Sequence, residues 1–267
     1  GLRSFDSDGF TSGLDDNSGG RTGDSYVAWC WKAGGAAVEN TDGTITSQVS
    51  ANQTAGFSIV SYTGNDTIGA TIGHGLGKTP NLIIVKNRDS NAANWTVYHS
   101  GNTSSPETQR IKLNSTDPTL TVNYWNNTAP TSSVFTVYSG SGVNETQKLI
   151  AYCWAEIEGF SKFGSYVGNT DDDGPFVYCG FKPAWVMIKV TTATNSWVIY
   201  DSSRNSTNIV NNRLRANLSF IEDTHNGVDF LSNGFKLRDA GSSSTNAAKT
   251  YIFAAFAESP FTTANAK

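Results

Sequence analysis

"SYVAWCWKAGG", Ser25–Gly35, puts three large aromatic side chains and a cysteine into a few residues. A near copy returns as "LIAYCWAEIEGF" (Leu149–Phe160) and again as "YIFAAFAESPF" (Tyr251–Phe261). In an extended chain Val27, Trp29 and Trp31 share one face, while Tyr26, Ala28 and Cys30 share the other. Both faces are apolar, which predicts a strand covered on both sides within a β-sandwich. Trp29, Trp31 and the matching Trp154 are therefore expected to anchor a core.

The rest of the chain repeats around this strand. "SYTGN" (Ser61–Asn65) returns as "SYVGN" (Ser165–Asn169), and "TPNLIIVK" (Thr79–Lys86) as "KPAWVMIK" (Lys182–Lys189). "NWTVYHS" (Asn94–Ser100) matches "SWVIYDS" (Ser196–Ser202), tryptophan on tryptophan, which adds Trp95 and Trp197 to the expected anchors. "RIKLN" (Arg110–Asn114) matches "RLRAN" (Arg213–Asn217), and "SSVFTV" (Ser132–Val137) matches "SNGFKL" (Ser232–Leu237). The matches keep one order, at offsets drifting only from 104 to 100, so the chain carries a tandem duplication. "FDSDGFTSG" (Phe5–Gly13) matches "FLSNGFKLR" (Phe230–Arg238), so the first residues read as the back end of a further copy. The parent protein is then expected to extend beyond the N-terminus by at least a domain.

Strand signals dominate. "NLIIVK" is a short apolar run bounded by Pro80 and a polar loop. "WTVYHS" alternates, with Trp95, Val97 and His99 on one face and Thr96 and Tyr98 on the other. A Gly/Ser/Asn turn before each aromatic strand suggests a hairpin there. "PETQRIKLN" and "NNRLRANLS" sustain no apolar stripe of helical length. The expected fold is all-β: two tandem β-sandwich, jelly-roll-like repeats with an extra N-terminal β-hairpin. The expected divisions are 1–50, the upstream back end plus a polar connector with one short strand at "TITSQV"; 51–160, the first complete repeat; and 161–267, the second.

Composition agrees. Charged residues are only 16% of the 267, aromatics 12%, and the polar remainder is mostly Ser, Thr, Asn and Gly, which suits strands and turns. A net charge of -4 gives no basic footprint for nucleic acid or a membrane surface. The three cysteines, Cys30, Cys153 and Cys179, have no C-x-x-C spacing and read as buried small hydrophobes.

Chemistry is sparse. His74, His99 and His225 are too scattered for a metal site. "GHGLGKTP" (Gly73–Pro80) lacks phosphate-loop spacing and reads as a glycine turn feeding a strand. Glu156 and Glu158 fall on one strand face, as a glycosidase pair would, but the further acid of the E-x-D-x-x-E pattern is absent. Asp171, Asp172 and Asp173 in "NTDDDG" are weak metal candidates without EF-hand spacing, and a solvated turn suits them better. No catalytic residue and no cofactor is expected. N-x-[ST] triplets at Asn52, Asn65, Asn94 and Asn205 are what so much Asn, Ser and Thr gives by chance. Tyr124, Trp125 and Asn126 in "NYWNN" and Tyr138 in "VYSGSG" lie in polar loop sequence. They are the expected ligand contacts, because aromatic faces beside Asn and Ser suit sugar rings.

Strings such as "AWCWKAGG", "NTDGTITSQVSANQTAGFSIVSYTGN", "GATIGHGLGKTPNLIIVKNRDS", "FSKFGSYVGN", "DGPFVYCGFKPAWVMIK" and "DFLSNGFKLR" followed by "TYIFAAFAESPF" resemble a domain of marine bacteriophage structural proteins, typically predicted to be tail fibres or related virion proteins. The resemblance covers essentially all of residues 1–267. It implies a module found towards the C-terminal end, often after a lectin-like or SPRY-like sandwich, and "ESPFTTANAK" resembles the family's chain end. It carries over no catalytic residue. What it implies is a virion structural protein, a tail-fibre or spike segment engaged in host attachment, extracellular on the particle. The expected partners are other virion proteins, further copies in a homotrimer, and a host surface glycan or protein, with no nucleic acid and no membrane. The alternatives are a head-decoration or tail-collar protein without receptor contact, and a polysaccharide depolymerase tailspike.

Overall fold

The computed structural model describes residues 2–7, 9–13, 19–140 and 142–258. The last three residues of "YIFAAFAESPF" and all but the first of "ESPFTTANAK" lie outside the described residues. The protein is all-β, with twenty strands and a single 3-10 turn among the described residues. It divides into two compact units, residues 1–31 and 32–267.

The first unit carries an antiparallel pair, β1 (Leu2–Phe5) and β2 (Phe10–Ser12), with Phe5 opposite Phe10. The Asp6 carboxylate accepts hydrogen bonds from the Ser4 and Thr11 hydroxyls and ties the two strands at the turn. The aromatic segment that follows differs from its expected form. Residues 25–31 adopt no strand, Trp29 and Trp31 are half-buried, and Cys30 is exposed, so none of the three is a core residue. The reason lies in the two complete copies, described next: there the aromatic strand is interior to its sheet and takes a neighbour on each side. Ahead of Ser25 the described residues offer only β1 and β2, and these correspond to strands that never border it.

The second unit opens with β3 (Val38–Asn40) and β4 (Ser47–Asn52), then β5 (Phe57–Thr63), β6 (Ala70–Gly73), β7 (Leu82–Asn87), β8 (Thr96–His99), β9 (Gln109–Lys112), β10 (Leu120–Thr121), β11 (Val134–Val137) and β12 (Lys148–Trp154). These form an eight-stranded antiparallel sheet, β10-β9-β8-β7-β12-β5-β4-β3, faced by the pair β11-β6. The second module comprises β13 (Ser161–Val167), β14 (Phe176–Tyr178), β15 (Trp185–Val190), β16 (Val198–Asp201), β17 (Val210–Arg215), β18 (Asp223–Leu231), β19 (Gly234–Leu237) and β20 (Thr250–Phe256), in the order β13-β20-β15-β16-β17-β18-β19-β14. Both modules share one skeleton. β12 lies between β5 and β7 as β20 lies between β13 and β15, and β11 pairs β6 as β19 pairs β14.

Two expectations are corrected here. The turn before each aromatic strand is not a hairpin: β19 pairs β18 and β14, while β20 crosses to lie between β13 and β15. Residues 251–256 are buried throughout, and a strand apolar on both faces has to sit in mid-sheet. The hairpin is instead β18–β19, with Phe230 opposite Phe235, the register that Phe5 and Phe10 repeat. Those pairs differ in setting, since Phe5 is 84% exposed and Phe230 only 3%. Finally, the polar stretch that closes the expected 1–50 division is not a connector. Its alternation buries Ser47 and Val49 and turns Gln48 outward, so β3 and β4 extend the first module's sheet from β5.

Each module encloses its own core. Val60, Ile72, Ile83, Val85, Phe135 and Leu149 fill the first, and Val186, Ile188, Tyr200, Val228, Phe235 and Phe253 the second. Cys153 and Cys179 are buried, and burial pushes both thiols up, Cys179 to about 12.

Candidate functional site

The expected ligand contacts fall where the two modules differ. In the second module β18 runs unbroken for nine residues and carries the sheet from β17 round to β19. In the first, its counterpart stops after the two residues of β10. Asn126 and Asn127 then take positive φ, 52° and 48°, and Pro130 follows, so the chain leaves the sheet. The loop turns Tyr124 and Trp125 inward, which corrects the expectation that they face solvent. Trp125 is 1% exposed, packs edge-on to Tyr98 with ring centroids 5.7 Å apart, and its indole nitrogen is buried without a hydrogen-bond partner. Asn126 and Tyr138 are half-buried at the rim. Polar neighbours in sequence did not make this a surface loop, because beside the truncated strand these two rings pack into the first module's core.

Arg110 shares that pocket. Its guanidinium carbon lies 4.2 Å from the centre of the Tyr124 ring, and Nη1 donates to the Tyr124 hydroxyl. Tyr124→Phe would leave a buried cation without that acceptor, and a loss of about 1–2 kcal/mol in urea denaturation is expected. An unchanged midpoint would mean that the hydroxyl contributes nothing.

The acidic candidates are engaged by neighbouring protein groups. Asp173 pairs with Lys236 at 3.0 Å and Arg238 at 3.4 Å, which holds its carboxyl below the usual range. Asp172 accepts from the Ala240 amide and Asp171 from the Asp173 amide. Among the described residues no group of three His, Cys, Asp or Glu side chains is placed to hold a metal ion. Glu156 and Glu158 do not share a strand face, since β12 ends at Trp154 and the chain turns through Gly159 at φ 75°. Glu156 forms an ion pair with Lys162 at 2.7 Å. His74 is buried, donating from Nε2 to the Thr131 carbonyl and accepting at Nδ1 from the Leu76 amide, and burial lowers its pKa. Gly75 and Gly77 beside it take φ near 69°, the left-handed geometry a glycine turn supplies.

Two shallow clefts open on the surface. One, of about 250 Å³, is lined by Thr46, Gln48, Ser61, Thr63, Arg88 and Lys148. The other, of about 230 Å³, is lined by Lys182, Ser202, Asn205, Ser206 and Asn208. Its amides are fixed: Asn205 accepts from the Asn211 and Asn212 amides, and Asn208 bonds both ways with the Phe230 backbone. Both fall below the range of about 300–1,000 Å³ usual for enclosed small-molecule pockets, and both present hydroxyl, amide and basic groups.

The most organised polar feature is the seam between the modules, which the sequence left unread. Trp197 Nε1 donates to the Lys112 carbonyl at 2.9 Å, and Lys189 Nζ donates to the Thr116 and Asn195 carbonyls at 3.2 and 2.8 Å. The Thr119 amide donates to Thr191 and the Asn195 amide to Thr116, each at 2.9 Å. His99 donates from Nε2 to the Phe253 carbonyl at 3.0 Å, accepts at Nδ1 from the Gly101 amide, and sets its ring against Phe163. Lys189 is fully buried, and burial lowers it to about 8. A cation this deep has to be matched by carbonyl acceptors, so the seam is specific as well as tight. The duplication announced two modules, but the clamp depends on carbonyls of a loop whose sequence, "NSTDPT", reads as ordinary turn.

Fold and seam define a tandem all-β protein of two sandwich modules locked by an aromatic and polar joint. The chain belongs to the family of the domain of unknown function DUF7483, whose profile matches residues 1–260. No curated protein and no solved structure matches it significantly. No helix among the described residues is long and apolar enough to cross a membrane.

Proposed function

We propose that the chain is a segment of a bacteriophage virion structural protein, a tail-fibre or spike element that makes contact with the host surface. The observation that carries this reading is the seam: two like modules are joined by buried Trp197 and Lys189, as suits a part that transmits load and keeps a fixed spacing. The resemblance of its motifs to marine phage tail-fibre-like proteins points the same way. In this reading the protein is not an enzyme and needs no cofactor. It acts outside the cell on the particle, as a homotrimer by analogy with symmetric fibres. Sugar contacts belong to the hydroxyl- and amide-lined clefts and the rim residues Asn126 and Tyr138, while Tyr124 and Trp125 keep a packing role.

Immunogold labelling of intact virions with an antibody against this chain tests the reading. Label on distal tail fibres is the expected result. Label on the head or collar would replace attachment with a decoration role, release of reducing sugar from host polysaccharide would make it a depolymerase, and an unlabelled particle would remove the virion assignment.

A further inference from the structure

The seam has a donor side and a receiving side, and the tandem repeat presents each of them twice. The donor is the loop after β9: residues 112–119 of the first module supply the carbonyls of Lys112 and Thr116 and the amide of Thr119. The receiver is the outer face of the second module around Trp197, Lys189 and Ile252. By the duplication, the receiver's counterpart on the first module is Trp95, Lys86 and Ile150, with Tyr152 beside them. The donor's counterpart on the second module is the loop 215–222, since Arg213 lies opposite Asp223 as Arg110 lies opposite Leu120.

Local geometry is kept in both copies. The Trp95 amide donates to Asn114 Oδ1 as the Trp197 amide donates to Asn217 Oδ1. Lys86 Nζ donates to the Ala93 carbonyl as Lys189 Nζ donates to the Asn195 carbonyl, but its second acceptor is its own Ser90 carbonyl instead of a neighbouring module's. The covering differs. Trp197, Lys189 and Ile252 are buried, whereas Trp95, Lys86, Ile150 and Tyr152 are all half-buried, with the Trp95 and Tyr152 rings stacked 6.4 Å apart. Residues 115–119 are half-buried in the seam, whereas their counterparts 218–222 are exposed. Three of the five, Leu218, Phe220 and Ile221, are apolar where solvent would favour polar residues, with Phe220 63% and Ile221 87% exposed.

We infer that the chain associates head to tail with a second copy of itself, the 215–222 loop of one copy seating on the Trp95–Tyr152 face of the other. The occupant is identified by continuity: the contact that already joins module to module within the chain is the one whose two halves recur at opposite modules, the face half-buried and the loop exposed. Donor and receiver are different surfaces, so the contact is heterologous. It closes into a ring, as a trimer needs, or continues as a linear series. The inference stands on the internal seam and does not require the virion assignment.

Sedimentation velocity of the whole chain over a wide concentration range tests it. The weight-average mass is expected to rise at least about twofold above the 28.6 kDa of one chain. Ile221→Asp, which removes the loop's apolar tip, and Tyr152→Ser, which breaks the receiving face, should each lose that association; Ile150→Lys is a second variant of the face should Tyr152→Ser melt early. Mixing the Ile221→Asp and Tyr152→Ser chains should restore a dimer and nothing larger, because one competent loop and one competent face remain. A chain that stays monomeric throughout, association that survives both variants, or a mixture that fails to dimerise would each overturn the inference. A linear series abolished by the variants keeps the inference and removes the trimer, while a trimer indifferent to them does the reverse.

Discussion

Trp197→Ala is expected to lower the stability of the 32–267 unit by about 3–5 kcal/mol, the range for removing a buried large aromatic side chain. The indole is 1% exposed, and it both fills the seam and donates to Lys112 O. Truncation therefore opens a cavity and leaves a buried carbonyl without its donor. Trp197→Phe keeps much of the ring volume and loses the hydrogen bond, so its cost should be nearer 1–2 kcal/mol, roughly the worth of one buried bond and the missing atoms. The equivalent Trp95→Ala removes a half-buried side chain, and on lost apolar area alone its cost should be about 1–2 kcal/mol. That contrast is the informative part, because the two tryptophans hold matching places in matching strands. Urea denaturation followed by circular dichroism would read all three. If Trp95→Ala cost as much as Trp197→Ala, the difference in covering would have no energetic meaning, and a near-native Trp197→Ala would show that the seam holds little.

Much of this was legible in residues 57–63, 82–87 and 148–154 and their copies, because period-two alternation and a duplicated order constrain a β-sheet strongly. The interior place of β12 and β20, each with a strand on either side, followed from strands apolar on both faces. Pairing was less legible, since β19 and β20 are neighbours in sequence and part of different layers in space. A turn reports local geometry and not which strand will be the partner. The fate of Tyr124 and Trp125 was hidden for a related reason. Their burial follows from β10 ending early, and only comparison with the unbroken β18 exposes the volume they fill. In residues 25–31 the misreading ran the other way: the residues are those of a core strand, but the described chain ahead of them supplies no strands of the β5 or β7 kind. The seam left least trace, because carbonyl acceptors carry no side-chain signature. Lys189 in the run "WVMIKV" is the one residue that could have announced it, as a buried cation requires oxygen atoms brought from elsewhere.

His99 should make the protein lose stability on mild acidification. The imidazole is 2% exposed, neutral, and held as the Nε2–H tautomer by the Phe253 carbonyl and the Gly101 amide. Protonation would place a proton on Nδ1, against the Gly101 N–H, in a site with little water. Burial is the leading cause that lowers its pKa to about 4. Above about pH 6.5, the value of an unfolded histidine, both states are neutral and the full stability is present. As pH falls from there towards 4 the unfolded chain binds the proton and the folded chain does not, so stability falls with pH. About 3 kcal/mol should be lost across this window, at roughly 1.4 kcal/mol per unit. Burial also lowers His74, whose contribution has the same sign. Asp223, held low by the Arg213 and Arg215 guanidiniums, acts in a separate range, because its stabilisation is lost only as pH falls below the ordinary carboxylate value. The upper part of the window therefore isolates the histidines. His99→Gln keeps a side-chain donor for the Phe253 carbonyl but cannot be protonated, so it should flatten most of the slope even if it costs about 1–2 kcal/mol at neutral pH. Denaturation free energies measured between pH 6.5 and 4.5 decide the matter: equal slopes for His99→Gln and the unaltered chain would show that the ring at the seam is not the group being titrated.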